Sequence, residues 1–494
     1  MRLSLTMALL LSPFLLGTFA SGQDAPANKG EARRPIWPSS RDAKERERVP
    51  TRRVVFLQDE PYPLPPLPDA ERDERSRFDM PESARVGEPT LSTAEEESST
   101  PQAEQVAPTP LLLTKALGLQ DSRFRIFGWI QNSFTGNTNG TPSDRINFGV
   151  FPNTLANTWM GNQYYTVFEA PLKLTDQVDF GARFDFLFGN DWQFTKMYGL
   201  FDRAFVPYQF AGIDLPQFYA EVHLPVLTPG GLDIKGGRFA NPGGYESFMA
   251  INRPLLSVPY MYNFTPFTFF GMLATWHVTD RVNLYSGTVN GMDRWINSNY
   301  IWNYFGGMTL KSSDDKTTLN FYGLTGPNQL PRFAPAGYPL VPVATPPPGF
   351  RARQVNPLYA ESYRAYLSLT LVRDWTEKLT EVLETEVVWD PRSLGFGPGV
   401  RTLYYQGLGH WLLYKVTEKA TAVWRAEMFW DPNGAATGIH NNYFEMTAGI
   451  QYRPRDWLWF RPEIRYDTSF PNPAYNDQTV RNQLTLGFDV ILLW

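Results

Sequence analysis

Charged residues alternate with apolar ones along several short segments, and this spacing decides what chemistry they can carry. A period of two places alternate residues on opposite faces of a β-strand, so each segment has one apolar and one charged face. The charged faces hold these candidate site residues: Arg183, Asp185, Glu221, Arg425, Glu427, Glu445, Arg461, Glu463 and Arg465. Opposed charges along a pore set a transverse field that selects among solutes, so we predict these residues as pore-lining. Salt bridges that stiffen the wall are the alternative, and both can hold at once.

Enzymatic chemistry has little support in the sequence. None of the four His residues lies in a local motif that names a nucleophile, and no metal-ligand spacing such as HExxH occurs. These residues are His223, His277, His410 and His440. The absence of Cys excludes disulfides, thiolate metal sites and lipoprotein acylation. We therefore predict no enzyme, no cofactor and no metal, with a barrel hydrolase as the weaker alternative.

Three other motifs favour loops over binding sites. Gly395, Gly397 and Gly399 are predicted to be loop glycines, because no helix follows them to hold a phosphate. Asp431–Gly434 reads DPNG and predicts a tight loop, since a calcium loop needs more regularly spaced oxygens. The stiff, Pro-rich connection 327–357 either enters the pore as a constriction or, as we favour, faces outward.

The last stretch, Asn482 to Trp494, indicates which elements carry the charges. Its apolar face consists of Leu484, Leu486, Phe488, Val490, Leu492 and Trp494. Thr485, Gly487 and Asp489 lie on the other face. An uninterrupted apolar face suits a transmembrane barrel, whose outer surface meets hydrocarbon and whose closure leaves no edge. The alternative is an edge strand of a soluble sandwich. The ending resembles the C-terminal signal that bacterial outer-membrane assembly machinery recognises, which implies that machinery as a partner.

Very short polar turns alternate with longer connections after Phe124. Seven turns, rich in Asp, Gly and Pro, span residues 174–178, 227–231, 278–282, 312–316, 372–375, 416–420 and 453–457. Eight longer connections span residues 140–161, 189–215, 241–266, 290–301, 327–357, 391–399, 431–441 and 469–480. These numbers imply sixteen strands with both chain ends on the short-turn side, as in bacterial outer-membrane barrels. We predict an all-β, antiparallel up-and-down transmembrane barrel over residues 122–494, with fourteen and eighteen strands as alternatives.

Composition agrees with a barrel, and a secreted β-sandwich enzyme is the alternative with a similar composition. Aromatic residues make up 15% of the chain, as aromatic girdles require, and alternating strands average to a hydrophilic mean hydropathy of -0.33. A net charge of -5 argues against a nucleic-acid partner, whose phosphates demand a basic surface. Trp375 and Trp457 follow turns, and Trp389 and Trp430 precede loops. We predict that they form aromatic belts at the two membrane interfaces.

The N-terminal residues are predicted to lie outside the barrel. Residues 1–22 indicate a secretory signal peptide, because their apolar run is too short to span a membrane. Residues 23–110 are rich in Pro, Glu, Arg and Ser and are predicted to form a disordered periplasmic arm. Residues 111–121 are predicted to hold a short helix that leads into the first strand.

The passage from Arg425 to Asp467 resembles the OmpL-like β-barrel porin family, the porin-2 group of bacterial outer-membrane proteins. It contains RAEMFWDPNG, TGI and YFEMTAGIQYRPRDWLWFRPEIRYD. Shorter pieces carry the same resemblance in FGWIQNSFTGN (127–137), GGRFANPGGYES (236–247) and GTVNGMD (287–293). The resemblance covers most of residues 111–494. It implies an outer-membrane β-barrel and, by inference, a diffusion channel.

We therefore predict a porin that forms a water-filled channel for passive diffusion of small hydrophilic solutes or ions. The alternative is a non-conducting outer-membrane barrel with a structural or envelope-tethering role, in which the arm binds envelope components. The expected partners are outer-membrane lipid, small solutes and the barrel-assembly machinery, with no nucleic acid. A homo-oligomer stays open, because no trimer contact can be read from the sequence. The expected location is the bacterial outer membrane, with the arm in the periplasm.

Overall fold

The computed structural model describes residues 112–174, 176–197, 199–201, 210–296, 302–327, 363–393 and 401–494. The predicted signal peptide, the arm, Gly395, Gly397, Gly399 and most of the connection 327–357 lie outside these residues. Within the described part, no helix is both long and apolar enough to cross a membrane.

The described residues form seventeen strands that pair in one antiparallel sheet. The strands are β1 (Arg125–Asn137), β2 (Thr158–Ala170), β3 (Asp179–Gly189), β4 (Gly212–Asp214), β5 (Phe218–Leu224), β6 (Leu232–Ala240), β7 (Thr268–Thr279), β8 (Val282–Val289), β9 (Asn303–Lys311), β10 (Thr317–Pro327), β11 (Tyr363–Asp374), β12 (Leu379–Ser393), β13 (Arg401–Thr417), β14 (Ala420–Asp431), β15 (Asn441–Arg455), β16 (Leu458–Phe470) and β17 (Asn482–Leu493). The helices are α1 (Leu112–Ala116), α2 (Trp192–Thr195), α3 (Tyr260–Phe264) and a 3-10 turn (Ala250–Asn252).

The sheet closes on itself. β1 pairs with both β2 and β17, so neither end of the sheet is left as an edge. β4 and β5 both pair with β3, and only residues 215–217 separate them, so together they make one strand of the barrel. The barrel therefore has sixteen strands, as the turn pattern predicted.

Side chains alternate between a lipid-facing outside and a buried inside. On β17, Leu486 is 52% exposed whereas Asp489 is fully buried. Phe180 and Phe184 on β3 are likewise exposed, and Arg183 between them is buried. An apolar exterior with polar groups inside is the arrangement that a hydrocarbon solvent requires. The predicted outer face of the last strand is thus confirmed.

The connections fall into two classes at opposite ends of the barrel. Each of the seven predicted short turns lies between two consecutive strands, and these turns define what we call the short-turn end. The longer connections join strands at the other, long-loop end. Trp375, Trp389 and Trp457, three of the predicted belt residues, are exposed on the surface. The helix α1 docks beside β1 through Thr114, whose hydroxyl donates a 2.7 Å hydrogen bond to the carbonyl of Ile126.

Candidate functional site in the barrel lumen

The connection between β6 and β7 lies inside the barrel. We call residues 241–267 the inner loop. Its Met249, Leu255, Leu256 and Tyr260 are almost completely buried. Because a buried loop has no ladder partner for most of its N–H and C=O groups, the wall must supply partners.

Carboxylates on alternate strands of the wall accept hydrogen bonds from the inner loop. The backbone donors and their acceptors are Tyr245 with Glu384 at 3.0 Å, Ser257 with Glu463 at 3.1 Å and Met261 with Glu427 at 2.7 Å. The acceptors lie on β12, β16 and β14, so the loop is attached along the wall and not at one point.

Arginines of the same wall donate to carbonyls of the inner loop. Arg461 donates to the carbonyls of Ala250 at 2.9 Å and Arg253 at 2.7 Å. Arg465 donates to the carbonyl of Val258 at 2.8 Å. Arg425 on β14 binds the carbonyl of Ser257 in the same way. The wall thus satisfies both the donors and the acceptors of the loop backbone.

Each of these arginines also has a carboxylate partner on the wall. Arg461 Nε lies 3.0 Å from Asp489 Oδ1, and Arg465 Nη2 lies 2.8 Å from Asp467 Oδ1. Arg425 pairs with Glu445 on β15, and both side chains are fully buried. Buried charges of this kind are tolerated only when they are paired and hydrogen-bonded, which is the case here.

Other loops pack on the inner loop from the long-loop end. Val258 donates a backbone hydrogen bond to the carbonyl of Phe151 in the connection 138–157. The Tyr260 hydroxyl lies 3.0 Å from that of Tyr475 in the connection 471–481. Gly149 has φ of 79°, and a Cβ there would lie 2.3 Å from Tyr260 Oη. Only glycine allows this close approach, which keeps the loops packed together.

The opposite wall, on β3, β5 and β6, also carries charges, but two of these charges stay partly exposed. Arg183 is buried between Asp185 at 2.8 Å and Glu169 at 3.1 Å. Glu221 pairs with Lys235 at 3.3 Å, and their side chains keep 13% and 27% of their exposure. These two charges are partly accessible inside the barrel.

All nine predicted site residues face the interior of the barrel, but the structure divides them. Six contact the inner loop directly: Arg183 through Met249 Sδ at 3.5 Å, and Arg425, Glu427, Arg461, Glu463 and Arg465 through its backbone. Glu445 pairs with Arg425, and Arg183, Asp185 and Glu221 lie on the opposite wall. Their role as pore-lining residues stays a prediction.

The inner loop is one of the predicted long connections, but its position in the lumen does not follow from the turn pattern. Its composition was the available signal. The stretch SFMAINRPLLSVPYMYNFTPF (247–267) is far more apolar than an external loop needs to be. Glu384, whose carboxylate accepts the N–H of Tyr245 in this loop, was not predicted as a site residue, because the position of the loop was not predicted.

Two of the histidines and the DPNG segment make hydrogen bonds with neighbouring residues. His223 Nδ1 and His277 Nε2 lie 2.6 Å and 2.9 Å from opposite oxygens of Asp233, near the short-turn end. The Asp431 carboxylate accepts N–H groups from Ala435 and Thr437, both at 2.7 Å, so the DPNG segment is the predicted tight loop. Among the described residues, no group of three or more His, Cys, Asp or Glu side chains is placed to hold a metal.

A closed sixteen-stranded barrel with an apolar exterior, a polar interior and a loop inside the lumen defines an outer-membrane barrel of the porin class. Residues 123–493 match the family described as "Putative beta-barrel porin-2, OmpL-like". The chain belongs to this family, as the sequence motifs predicted.

Solved structures with a similar fold are outer-membrane proteins of low sequence identity. The outer membrane channel DcaP of Acinetobacter baumannii has 8% identity and a TM-score of 0.47, with 75% of this chain and 97% of that chain covered. OmpT of Vibrio cholerae in a trimer form has 8% identity and a TM-score of 0.44, with coverage of 75% and 99%. OprB of Pseudomonas putida has 10% identity and a TM-score of 0.44, with coverage of 78% and 97%. No curated protein matches the chain in sequence.

Proposed function

We propose that the protein is a porin that lets small hydrophilic solutes or ions diffuse passively across the bacterial outer membrane. One observation carries this proposal: the inner loop lies within the lumen and is held there by charged residues of the wall. A loop fixed in this way narrows the passage to a defined size, which is what a diffusion channel needs. The short-turn end and the N-terminal arm then face the periplasm, following the loop asymmetry of outer-membrane barrels.

The proposed partners follow from the same orientation. Outer-membrane lipid contacts the apolar exterior, and the outward face of β17 is the surface that the barrel-assembly machinery would recognise. A homo-oligomer is compatible with this arrangement.

A non-conducting barrel is the second candidate, and a specific observation favours it. Arg425, Arg461 and Arg465 have no exposed surface, because the inner loop and its neighbours fill this side of the lumen. If the filling extends across the lumen, the barrel would serve a structural or tethering role and the arm would bind envelope components.

Planar-bilayer recording of the detergent-purified, heat-modifiable protein decides between the two candidates. Discrete conductance steps are expected, both for the full chain and for a chain that lacks residues 23–110. A folded barrel that never conducts would overturn the porin proposal. In that case the tethering role predicts that deletion of the arm releases the barrel from envelope fractions.

A further inference from the structure

A small group on β5 and β6 differs from the rest of the charged lumen. Glu221 and Lys235 are directly opposite each other in the antiparallel pairing of these strands. Tyr219 lies two residues from Glu221 on the same strand face, with Gly237 opposite it. Gly237 contributes no side chain, so the Tyr219 ring is not covered from that position.

The Lys235 ammonium is held by two features that recognise cations in general. Its Nζ lies 4.2 Å from the centroid of the Tyr219 ring and 3.3 Å from Glu221 Oε2. An aromatic face combined with a carboxylate is a typical site for ammonium groups, because both present negative potential to the same cation. The side chain of Lys235 is a flexible four-carbon stem, so its ammonium can swing away from the site.

The contacts among Tyr219, Glu221 and Lys235 are not explained by a need to stabilise the barrel wall. A partly exposed ion pair contributes little to stability, and Lys235 keeps 27% of its side-chain exposure. The neighbouring Arg183 cannot replace Lys235, because Asp185 and Glu169 hold it at 2.8 Å and 3.1 Å. When Lys235 moves out, the ring face and the carboxylate lose their ammonium partner, while Arg183, opposite Tyr219 on β3, stays paired with Asp185 and Glu169.

We propose that Tyr219 and Glu221 form a cation site in the lumen, which Lys235 occupies as a tethered ammonium. Small monovalent ammonium solutes compete with Lys235 for this site. Lys235 thereby lowers the preference of the barrel for cations. This inference deepens the proposed function, because the selectivity it describes is that of the diffusion path.

Ion selectivity in planar bilayers tests the proposal through Lys235→Met. The methionine removes the tethered charge and keeps an unbranched side chain of similar reach. The cation-to-anion permeability ratio, taken from reversal potentials in a KCl gradient, is expected to rise severalfold. Lys415→Met is the matched control, because Lys415 is an exposed lysine near the short-turn end of β13 and, by alternation with the buried Trp411, faces inward. Equal changes in the two variants would overturn the cation site and leave the porin proposal intact.

A second measurement does not depend on conduction. Tetramethylammonium chloride, compared with NaCl at the same ionic strength, is expected to raise the temperature of the heat-modification transition of Lys235→Met, because a ligand that binds the folded barrel stabilises it. Adding Tyr219→Leu or Glu221→Gln to that variant is expected to abolish the effect. If Lys235→Met gains no stabilisation, the cation site is refuted, even where the wild-type barrel conducts. If it gains stabilisation in a barrel that never conducts, the site stands and only the porin proposal falls.

Discussion

The wall formed by β14 to β16 and the wall formed by β5 and β6 carry the same alternating pattern of charges, yet the two differ in what covers them. Arg425 and Arg465 are completely buried beneath the inner loop, whereas Glu221 and Lys235 remain partly exposed. On the first wall the charges replace the hydrogen-bonding partners that a loop inside a barrel lacks. On the second wall, Glu221 and Lys235 pair with each other and stay partly exposed inside the barrel. An inward charge in a barrel can therefore anchor a loop or stay partly exposed, and its neighbours decide which.

The largest expected effect is the loss of stability caused by Arg465→Ala on the first wall. The change leaves Asp467 and Glu445 buried without this partner, and removing one member of a buried ion pair costs about 3–5 kcal/mol. The temperature of the heat-modification transition on gels is expected to fall markedly, and single-channel conductance or ion selectivity is expected to change. Glu221→Gln on the other wall should cost at most about 1 kcal/mol, because its pair is partly exposed. Similar losses in the two variants would remove the distinction between the walls.

The next largest effect concerns the size of the passage. Glu427→Ala removes the acceptor of the N–H groups of Tyr260 and Met261, so the inner loop is released at α3. Single-channel conductance is expected to increase and to fluctuate more, since the part of the loop at α3 is no longer held in one position. Glu418→Ala, in an exposed turn, is the control and should match the wild type. Unchanged conductance in a folded Glu427→Ala barrel would show that this carboxylate does not position the loop.

A local effect is expected at the end of β14, where the strand runs into the connection 432–440. Asp431→Ala removes the carboxylate that accepts N–H groups of Ala435, Ala436 and Thr437. Leaving buried donors without an acceptor costs about 1–3 kcal/mol each. Amide hydrogen exchange at residues 435–437 should become faster, while exchange in the inner loop stays as in the wild type. Faster exchange in the inner loop as well would mean that the two loops are coupled.

The smallest effect is a pH dependence at the long-loop end. The backbone N–H and the hydroxyl of Ser143 both donate to Asp477, and these hydrogen bonds hold the pKa of Asp477 below its usual range. Because the pKa is lowered in the folded state, the contact stabilises the loops above the usual Asp pKa of about 3.9 and is lost as the pH falls through the lowered value.

The absence of native Cys allows this contact to be followed with one spin label at Thr141→Cys. Label mobility should rise only in strong acid. In Asp477→Asn it should be high at every pH, and a wild-type label that is equally mobile at pH 7 would contradict the contact.

The barrel itself could be predicted from the sequence because its signals are local. Alternation of Leu486 with Asp489 and of Phe184 with Arg183 fixes which face meets lipid, and Asp, Gly and Pro mark the turns. The position of the inner loop could not be predicted in this way. The hydrogen bond between Tyr245 and Glu384 joins residues 139 positions apart, and no local pattern specifies it. For the same reason the sequence could place nine charges inside the barrel without telling which of them a loop would cover.

The pairing of β1 with β17 is the seam that closes the barrel, and it limits how fast the barrel can fold. Across it, Gln131 donates a hydrogen bond to Asp489, a residue 358 positions further along the chain. Neighbouring strands can pair as hairpins quickly, but the seam must wait until the two ends of the sheet meet, and contacts of such long range slow folding. Until then β1 and β17 are both open edges that can pair with other chains. The slow step of folding should therefore be ring closure, and substitutions in the seam should change its rate more than substitutions in any single hairpin.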